Sequence, residues 1–196
     1  MSIGELRRLE YRDAAEVCGR QACSDQARAL LAEGATSAEH LERLLGAGLM
    51  ADAAAFLAQA LRKREAVWWA CLCVREVLGG KPLAPAVAEA LAVAERWAAS
   101  PGDGNRRRGL PAAEGAGLDH PAGCVALATH FSGGSLAPPG LPEVKPADHL
   151  TGTLVAAALT LASLHGGPEA APGRYRRFLE LGLDVARGDR RWPDPA

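Results

Sequence analysis

Valine, isoleucine and threonine, the β-branched residues that favour strands, occupy only 16 of the 196 positions in this chain. Alanine occupies 41 positions and leucine 27, and both residues are strong helix formers. This composition predicts an all-α protein. The length is sufficient for one domain with a sizeable hydrophobic core.

The chain also lacks an excess of charge of either sign. Lysine and arginine together number 22 against 23 aspartates and glutamates, which gives a net charge of −1. Proteins that bind nucleic acid or acidic membranes usually carry a clear positive excess. We therefore expect no nucleic-acid partner and no membrane partner, with a regulatory nucleic-acid binder kept as an alternative.

Targeting signals and long apolar runs are missing too. The N-terminal residues show no apolar signal region, and no stretch approaches the roughly 20 apolar residues that span a bilayer. On these grounds we expect a cytoplasmic protein.

Residue patterns that carry chemistry are scarce. The five cysteines are an odd number and do not indicate a disulfide framework, and the pair His120 and Cys124 has no second pair at metal-ligand spacing. We expect neither a metal nor a cofactor. The motifs HExxH, GxSxG, GxxxxGK[ST] and GxGxxG are absent, so the chain is predicted not to be an enzyme. An enzyme of unknown reaction, with a site near His130 and Ser132, is the alternative.

Apolar spacing, interrupted by glycine and proline, predicts about nine to ten short helices. We expect them to form a compact multi-helix bundle, with α-solenoid-like stacking of helix pairs as the alternative. Residues 1–188 are predicted to form this single helical domain, and residues 189–196 a loose C-terminal tail.

The clearest helix spans residues 63–78, KREAVWWACLCVREVL, whose middle is apolar on every side. Such a helix is enclosed by other helices, and residues 151–165 are predicted to form a second enclosed helix. Trp68 and Trp69 point about 100° apart on a helix, so two different neighbours are needed to bury both. Alternatively, one of the two indoles lines a groove or an interface.

Several polar residues are expected at the surface or at helix ends. His40 falls on a helix rich in alanine, glutamate and arginine and is predicted to be exposed. Asp119 is predicted to cap the helix in which Pro121 takes an early position. Two arginine clusters, one at 106–108 and one at 174, 176 and 177, are expected to be solvated faces. If their helices adjoin, they form a patch for a protein partner instead.

The segment 135–147, SLAPPGLPEVKPA, cannot form regular structure because its four prolines fix φ and remove backbone donors. The simplest expectation is a stiff crossover with Leu136, Leu141 and Val144 packed on the core. The alternative is a strap that docks a partner, since a proline-rich segment binds without a large ordering cost. The candidate partner-binding residues are those of this segment and the flanking helix ends: Phe131, Leu136, Pro139, Leu141, Pro142, Arg174 and Arg177.

Three blocks, REAVWWACLCVRE (64–76), AGLDHPAGCVALATHFSGGSLAPPGLPEVKP (116–146) and RYRRFLELGLDVARG (174–188), resemble an uncharacterised bacterial family. The likeness to this domain of unknown function covers most of residues 25–188 and carries no catalytic residues over to this chain. It implies a cytoplasmic accessory or adaptor associated with type VI secretion.

These observations together predict a non-catalytic helical protein-interaction module. It is expected to act as an adaptor or chaperone-like accessory of a bacterial, type VI-like secretion system, with a secretion component or effector as its protein partner. The oligomeric state is left open.

Overall fold

The computed structural model describes residues 3–21, 23–79, 82–138 and 140–193. Pro139 and the tail residues 194–196, which belong to the predictions above, lie outside the described residues. Within the described ranges there are no strands, only two isolated bridges, Leu9 to Leu61 and Asp13 to Thr36. The predicted all-α class is confirmed.

Eleven α-helices occur in these ranges, together with one short 3-10 helix at Pro168–Ala170. In chain order they are α1 (Ala14–Cys18), α2 (Asp25–Ala29), α3 (Ser37–Gly46), α4 (Met50–Ala60), α5 (Lys63–Leu78), α6 (Pro85–Ala99), α7 (Asp103–Arg107), α8 (Gly109–Ala116), α9 (Pro121–His130), α10 (Leu150–Ser163) and α11 (Ala171–Arg187). Two of these helices, α7 and α8, meet at Arg108.

The helices form a compact bundle around α5. This helix packs against α6, α9, α10 and α11, while α4 also contacts both α10 and α11. In a solenoid each repeat touches only its neighbours along the chain. Contacts between helices so far apart in sequence confirm the bundle and contradict the stacked alternative.

Both tryptophans of α5 are buried, as predicted. The indole Nε1 of Trp69 donates a hydrogen bond to the carbonyl oxygen of Phe178 on α11, at 2.7 Å. Gly182, one turn further along α11, permits this close packing, because a Cβ atom there would lie 2.7 Å from Cε2 of Trp69. Trp69 is therefore held between its own helix and the backbone of α11.

The second enclosed helix is α9, and not the segment 151–165 as predicted. Only one residue of α9, Leu127, is partly exposed, whereas α10 buries a stripe and leaves Thr153 and Thr160 in solvent. Small residues explain the difference, because they allow neighbouring backbones to approach α9 closely. A Cβ atom at Gly123 would lie 2.0 Å from the carbonyl oxygen of Gly117.

Two predictions about polar residues are wrong. His40 is 1% exposed, because α1 covers this face of α3 and brings Cys18 Sγ to 3.8 Å from its Nε2. The N-cap of α9 is His120, whose Nδ1 accepts the backbone N–H of Ala122 at 3.1 Å, and not Asp119. Histidine can take the capping role because its neutral ring offers an acceptor nitrogen.

Candidate interaction surface

The proline-rich segment 135–147, here called the proline loop, is gripped at its start by two arginines of α7. Arg106 donates from Nη1 to the carbonyl oxygen of His130 and from Nη2 to that of Ser135, both at 2.7 Å. Arg107 donates from Nη2 to the carbonyl oxygens of Ser135 and Ala137, both at 2.9 Å. The end of α9 and the first residues of the loop are thus fastened to α7 by charged hydrogen bonds.

Asp103, at the start of α7, orients both guanidiniums. Its carboxylate accepts from Nε of Arg106 at 3.0 Å and from Nε of Arg107 at 2.6 Å. The spacing of three and four residues places all three side chains on one side of the short helix. Hydrogen bonds from Arg107 and Arg106 lower the pKa of Asp103, so the carboxylate stays ionised. We call Asp103, Arg106 and Arg107 the arginine clamp.

The expectation that residues 106–108 form a solvated face is therefore wrong for Arg106, which is 3% exposed. Its burial depends on a close approach of the chain at Gly134, which has φ +62°. A Cβ atom there would lie 3.1 Å from Nε of Arg106. Glycine serves this position because it adopts positive φ without strain and leaves room for the guanidinium.

The two limbs of the proline loop are tied to each other. The backbone N–H of Leu136 donates to the carbonyl oxygen of Val144 at 2.8 Å. The hydroxyl of Ser135 accepts the N–H groups of Ala137 and Val144, both at 3.1 Å. These bonds close the loop at its base and leave residues 137–138 and 140–143 beyond it.

Closure of the base decides which apolar side chains the loop buries. Leu136 is half-buried, whereas Leu141 is 60% exposed and Val144 is 53% exposed. The expectation that all three pack on the core is wrong for Leu141 and Val144. Pro142 is exposed as well.

The far limb of the loop is anchored to α4 and α5. Asp148 lies 3.3 Å from Nζ of Lys63, and the carbonyl oxygen of His149 accepts from Nε2 of Gln59 at 3.1 Å. The loop is thus held at both ends while its tip stays in solvent.

The predicted partner-binding residues do not form one surface. Phe131 is half-buried at the C-cap of α9, beside the loop. The start of α10 lies at this end of α9, because Thr151 donates a hydrogen bond to the carbonyl oxygen of Ala128. Arg174 instead bonds the carbonyl oxygen of Ser163, at the opposite end of α10, at 2.8 Å. Fourteen residues of helix separate these ends by about 20 Å.

Arg177 is engaged within the protein, at the same end of α10 as Arg174. Its guanidinium bonds the carboxylates of Glu76 at 2.8 Å and Glu180 at 3.2 Å, and these bonds raise its pKa. The structure therefore brings Phe131 together with the loop but separates both from Arg174 and Arg177.

The alternative site near His130 and Ser132 is not assembled as a nucleophile and its base. Neither Nδ1 of His130 nor Oγ of Ser132 has a hydrogen-bond partner in the described structure. Burial, followed by the charges of Arg106 and Arg107, lowers the pKa of His130 and favours its neutral form. An activated serine needs a hydrogen bond to such a base, and none is formed here.

Two further observations concern metals and membranes. Across the described ranges, no group of three or more histidine, cysteine, aspartate or glutamate side chains is placed to hold a metal ion. No single helix described here has both the length and the apolar character of a membrane span. The helices Leu150–Ser163 and Pro168–Arg187 have that length and apolar character only when they are counted together, and they are bent by 113° relative to each other.

The arginine clamp was not predicted from the sequence, although the chain contains a spacing of charged residues that indicates part of it. Asp103 precedes Arg106 and Arg107 by three and four residues, which is the spacing of paired charges on a helix. What the spacing lacks is any indication that backbone carbonyls from another segment approach these guanidiniums.

Fold and clamp together define an all-helical protein with a fastened proline-rich loop. The chain belongs to the family of unknown function DUF6931, whose sequence profile matches residues 40–186. The predicted membership of an uncharacterised domain family is thereby confirmed. No curated protein and no solved structure matches the chain.

Proposed function

We propose that this protein is a non-catalytic helical protein-interaction module whose binding element is the proline loop. The observation that supports this proposal is the loop's fastening at both ends while Leu141 and Val144 stay exposed. A segment held in one conformation loses little conformational entropy when it binds, so its apolar side chains contribute more to affinity.

The partner that fits this element is a protein with an apolar groove. Leu141 and Val144 lie three positions apart on a projecting loop, and an apolar cleft of matching size would remove both from water. Glu143 and Lys145, on either side of Val144, carry opposite charges 3.7 Å apart and add no net charge for a polyanion to recognise.

The biological setting we propose is a bacterial, type VI-like secretion system, with the protein acting in the cytoplasm as an adaptor or chaperone-like accessory. Its partner would be a secretion component or an effector. Support for this setting comes from the three sequence blocks that resemble an uncharacterised bacterial family, since that resemblance implies an accessory role in type VI secretion; two of the blocks lie wholly within residues 40–186.

A capture experiment from native bacterial lysate tests the proposal. The bait is the full chain as wild type, as the loop variant Leu141→Asp/Val144→Asp, and as the control Leu118→Asp/Leu164→Asp. Leu118 and Leu164 are 56% and 47% exposed at the opposite end of α9 and α10, so the control adds the same charge elsewhere.

We expect a secretion component or effector to be enriched on wild type and control, and reduced at least about tenfold on the loop variant. Circular dichroism establishes that all three baits are folded. Equal recovery on the loop variant and wild type, or recovery of no such protein on wild type, contradicts the proposal.

A further inference from the structure

A cavity of about 340 Å³ lies where the N-terminal segment, the start of α5 and the chain after α11 meet. Its distinguishing feature is its charge, since five arginines and one aromatic ring line it: Arg8, Arg62, Arg64, Arg190, Arg191 and Trp192. Such a concentration of guanidiniums stands out in a chain whose net charge is −1.

Backbone hydrogen bonds bring these three segments together. The N–H of Arg62 donates to the carbonyl oxygen of Arg8 at 3.1 Å, and the N–H of Arg8 donates to that of Ala186 at 2.9 Å. Beyond α11, the N–H of Arg190 donates to the carbonyl oxygen of Asp184 at 3.3 Å. The fold therefore places these arginines side by side, although they are far apart in sequence.

One wall of the cavity is rigid. Arg64 donates to the carbonyl oxygens of Ala98 and Ala99, at 2.6 and 2.9 Å, and its Cζ lies 3.5 Å from the ring centre of Trp192. The remaining wall includes Gly188, where a Cβ atom would lie 3.2 Å from Nε of Arg8. The absence of a side chain at this position leaves room for the Arg8 guanidinium.

The positive charge of the cavity is only partly compensated. Glu65 is a buried part of its lining, and Glu10 approaches Nε of Arg62 at 4.0 Å. Five guanidiniums against these two carboxylates leave a net excess of three positive charges among the described residues. Like charges held this close repel one another, and this repulsion is relieved when an anion enters.

We propose that this cavity binds a small polyanion that carries two adjacent phosphate groups. Guanidinium groups match phosphate oxygens with paired hydrogen bonds, and several of them on one wall suit more than a single phosphate. The volume lies at the lower end of small-molecule pockets, which suits a ligand of this size.

The start of α5 supports the same ligand chemistry. Arg62, the N-cap, makes no side-chain hydrogen bond to the first turn of this sixteen-residue helix, so the positive end of its dipole faces the cavity region without a side-chain cap. Arg8, Arg190, Arg191 and Trp192 lie outside residues 40–186, so the site belongs to this chain beyond the part that the family profile covers. It is independent of the proline loop.

Calorimetric titration of the full chain with inorganic pyrophosphate, and separately with ADP, tests this site. We expect saturable binding of one ligand per chain and a rise in Tm when the ligand is present. The variant Arg62→Gln/Arg191→Gln removes two exposed guanidiniums and should weaken binding at least about tenfold, while remaining folded.

The matched control is Arg43→Gln/Arg176→Gln, which removes two exposed arginines outside the cavity lining and should bind as wild type does. Tighter binding of ADP than of pyrophosphate identifies a nucleotide, and equal binding identifies the diphosphate group itself; both support the site. The proposal is overturned if neither compound binds saturably, or if the control loses as much affinity as the cavity variant. It is also overturned if a glutamate-rich peptide or duplex DNA binds while pyrophosphate does not.

Discussion

Two groups of arginines, near the opposite ends of α10, differ in what their guanidiniums touch. Arg106 is 3% exposed and bonds backbone carbonyls that belong to α9 and the proline loop. Arg177, whose side chain is 47% exposed, bonds the carboxylates of Glu76 on α5 and of Glu180 on its own helix, α11. A buried guanidinium is costly to remove, because its former partners stay in the interior without a donor. When an exposed guanidinium is removed, water forms hydrogen bonds to its former partners instead.

The largest effect that this comparison predicts is for Arg106→Met. The substitution keeps much of the side-chain volume but leaves the carbonyl oxygen of His130 without its side-chain donor and that of Ser135 with Arg107 as its remaining donor. We expect the free energy of unfolding to fall by about 2–4 kcal/mol, measured by urea denaturation.

The control for this substitution is Arg108→Met, which alters an exposed arginine that adjoins the clamp. It should change the stability by less than about 0.5 kcal/mol. If Arg106→Met and Arg108→Met prove equally mild, the arginine clamp does not stabilise the protein.

An effect of pH on stability, intermediate in size, is expected at the same end of α10 as Arg106. Burial first, then the charges of Arg106 and Arg107, lower the pKa of His130 below its ordinary value of 6.5, and Asp103 opposes the shift only in part. The unfolded chain therefore binds a proton more readily than the folded one. The stability that neutral His130 contributes is fully present above pH 6.5, and this contribution is lost as the pH falls from there through the folded-state pKa of His130.

Urea midpoints measured between about pH 7 and about pH 5 should therefore fall on the acidic side. His130→Gln removes this titration and should show a shallower decline. The decline should not vanish, since burial also lowers the pKa of His40. Identical slopes for the variant and wild type contradict this assignment.

The smallest effect is expected for Arg177→Met. Its two ion pairs, with Glu76 and Glu180, lie in solvent and are screened by salt. We expect a loss of less than about 1 kcal/mol at low ionic strength, which shrinks further when salt is added. A loss as large as that of Arg106→Met would remove the distinction between the two arginine groups.

Features that depend on a few neighbouring residues were predicted correctly. The helix at 63–78 has the predicted bounds. The capping box between Thr36 and Glu39, which begins α3, is a local pattern of the same kind. Gly188 ends α11 in the left-handed conformation, with φ +91°. Caps, glycine stops and apolar periodicity act within one or two turns of helix, so they can be recognised in the chain itself.

Predictions that depend on which segment covers another were less successful. The helical pattern around His40 does not indicate that α1 lies over this residue. The apolar stretch at 151–165 suggested an enclosed helix, but small residues make α9 the more enclosed of the two. In the proline loop, the side chains of Leu141 and Val144 are exposed, although their apolar character favoured burial.

Composition and local spacing alone determined the helical class, the bounds of the helix at 63–78 and the burial of both tryptophans in α5. Only the tertiary structure decided that Arg106 is buried and bonded to the proline loop, and that five arginines from three distant segments line one cavity. The physical reason is range: helix propensity and capping act between near neighbours, whereas desolvation and charge proximity depend on residues that meet only after the chain has folded.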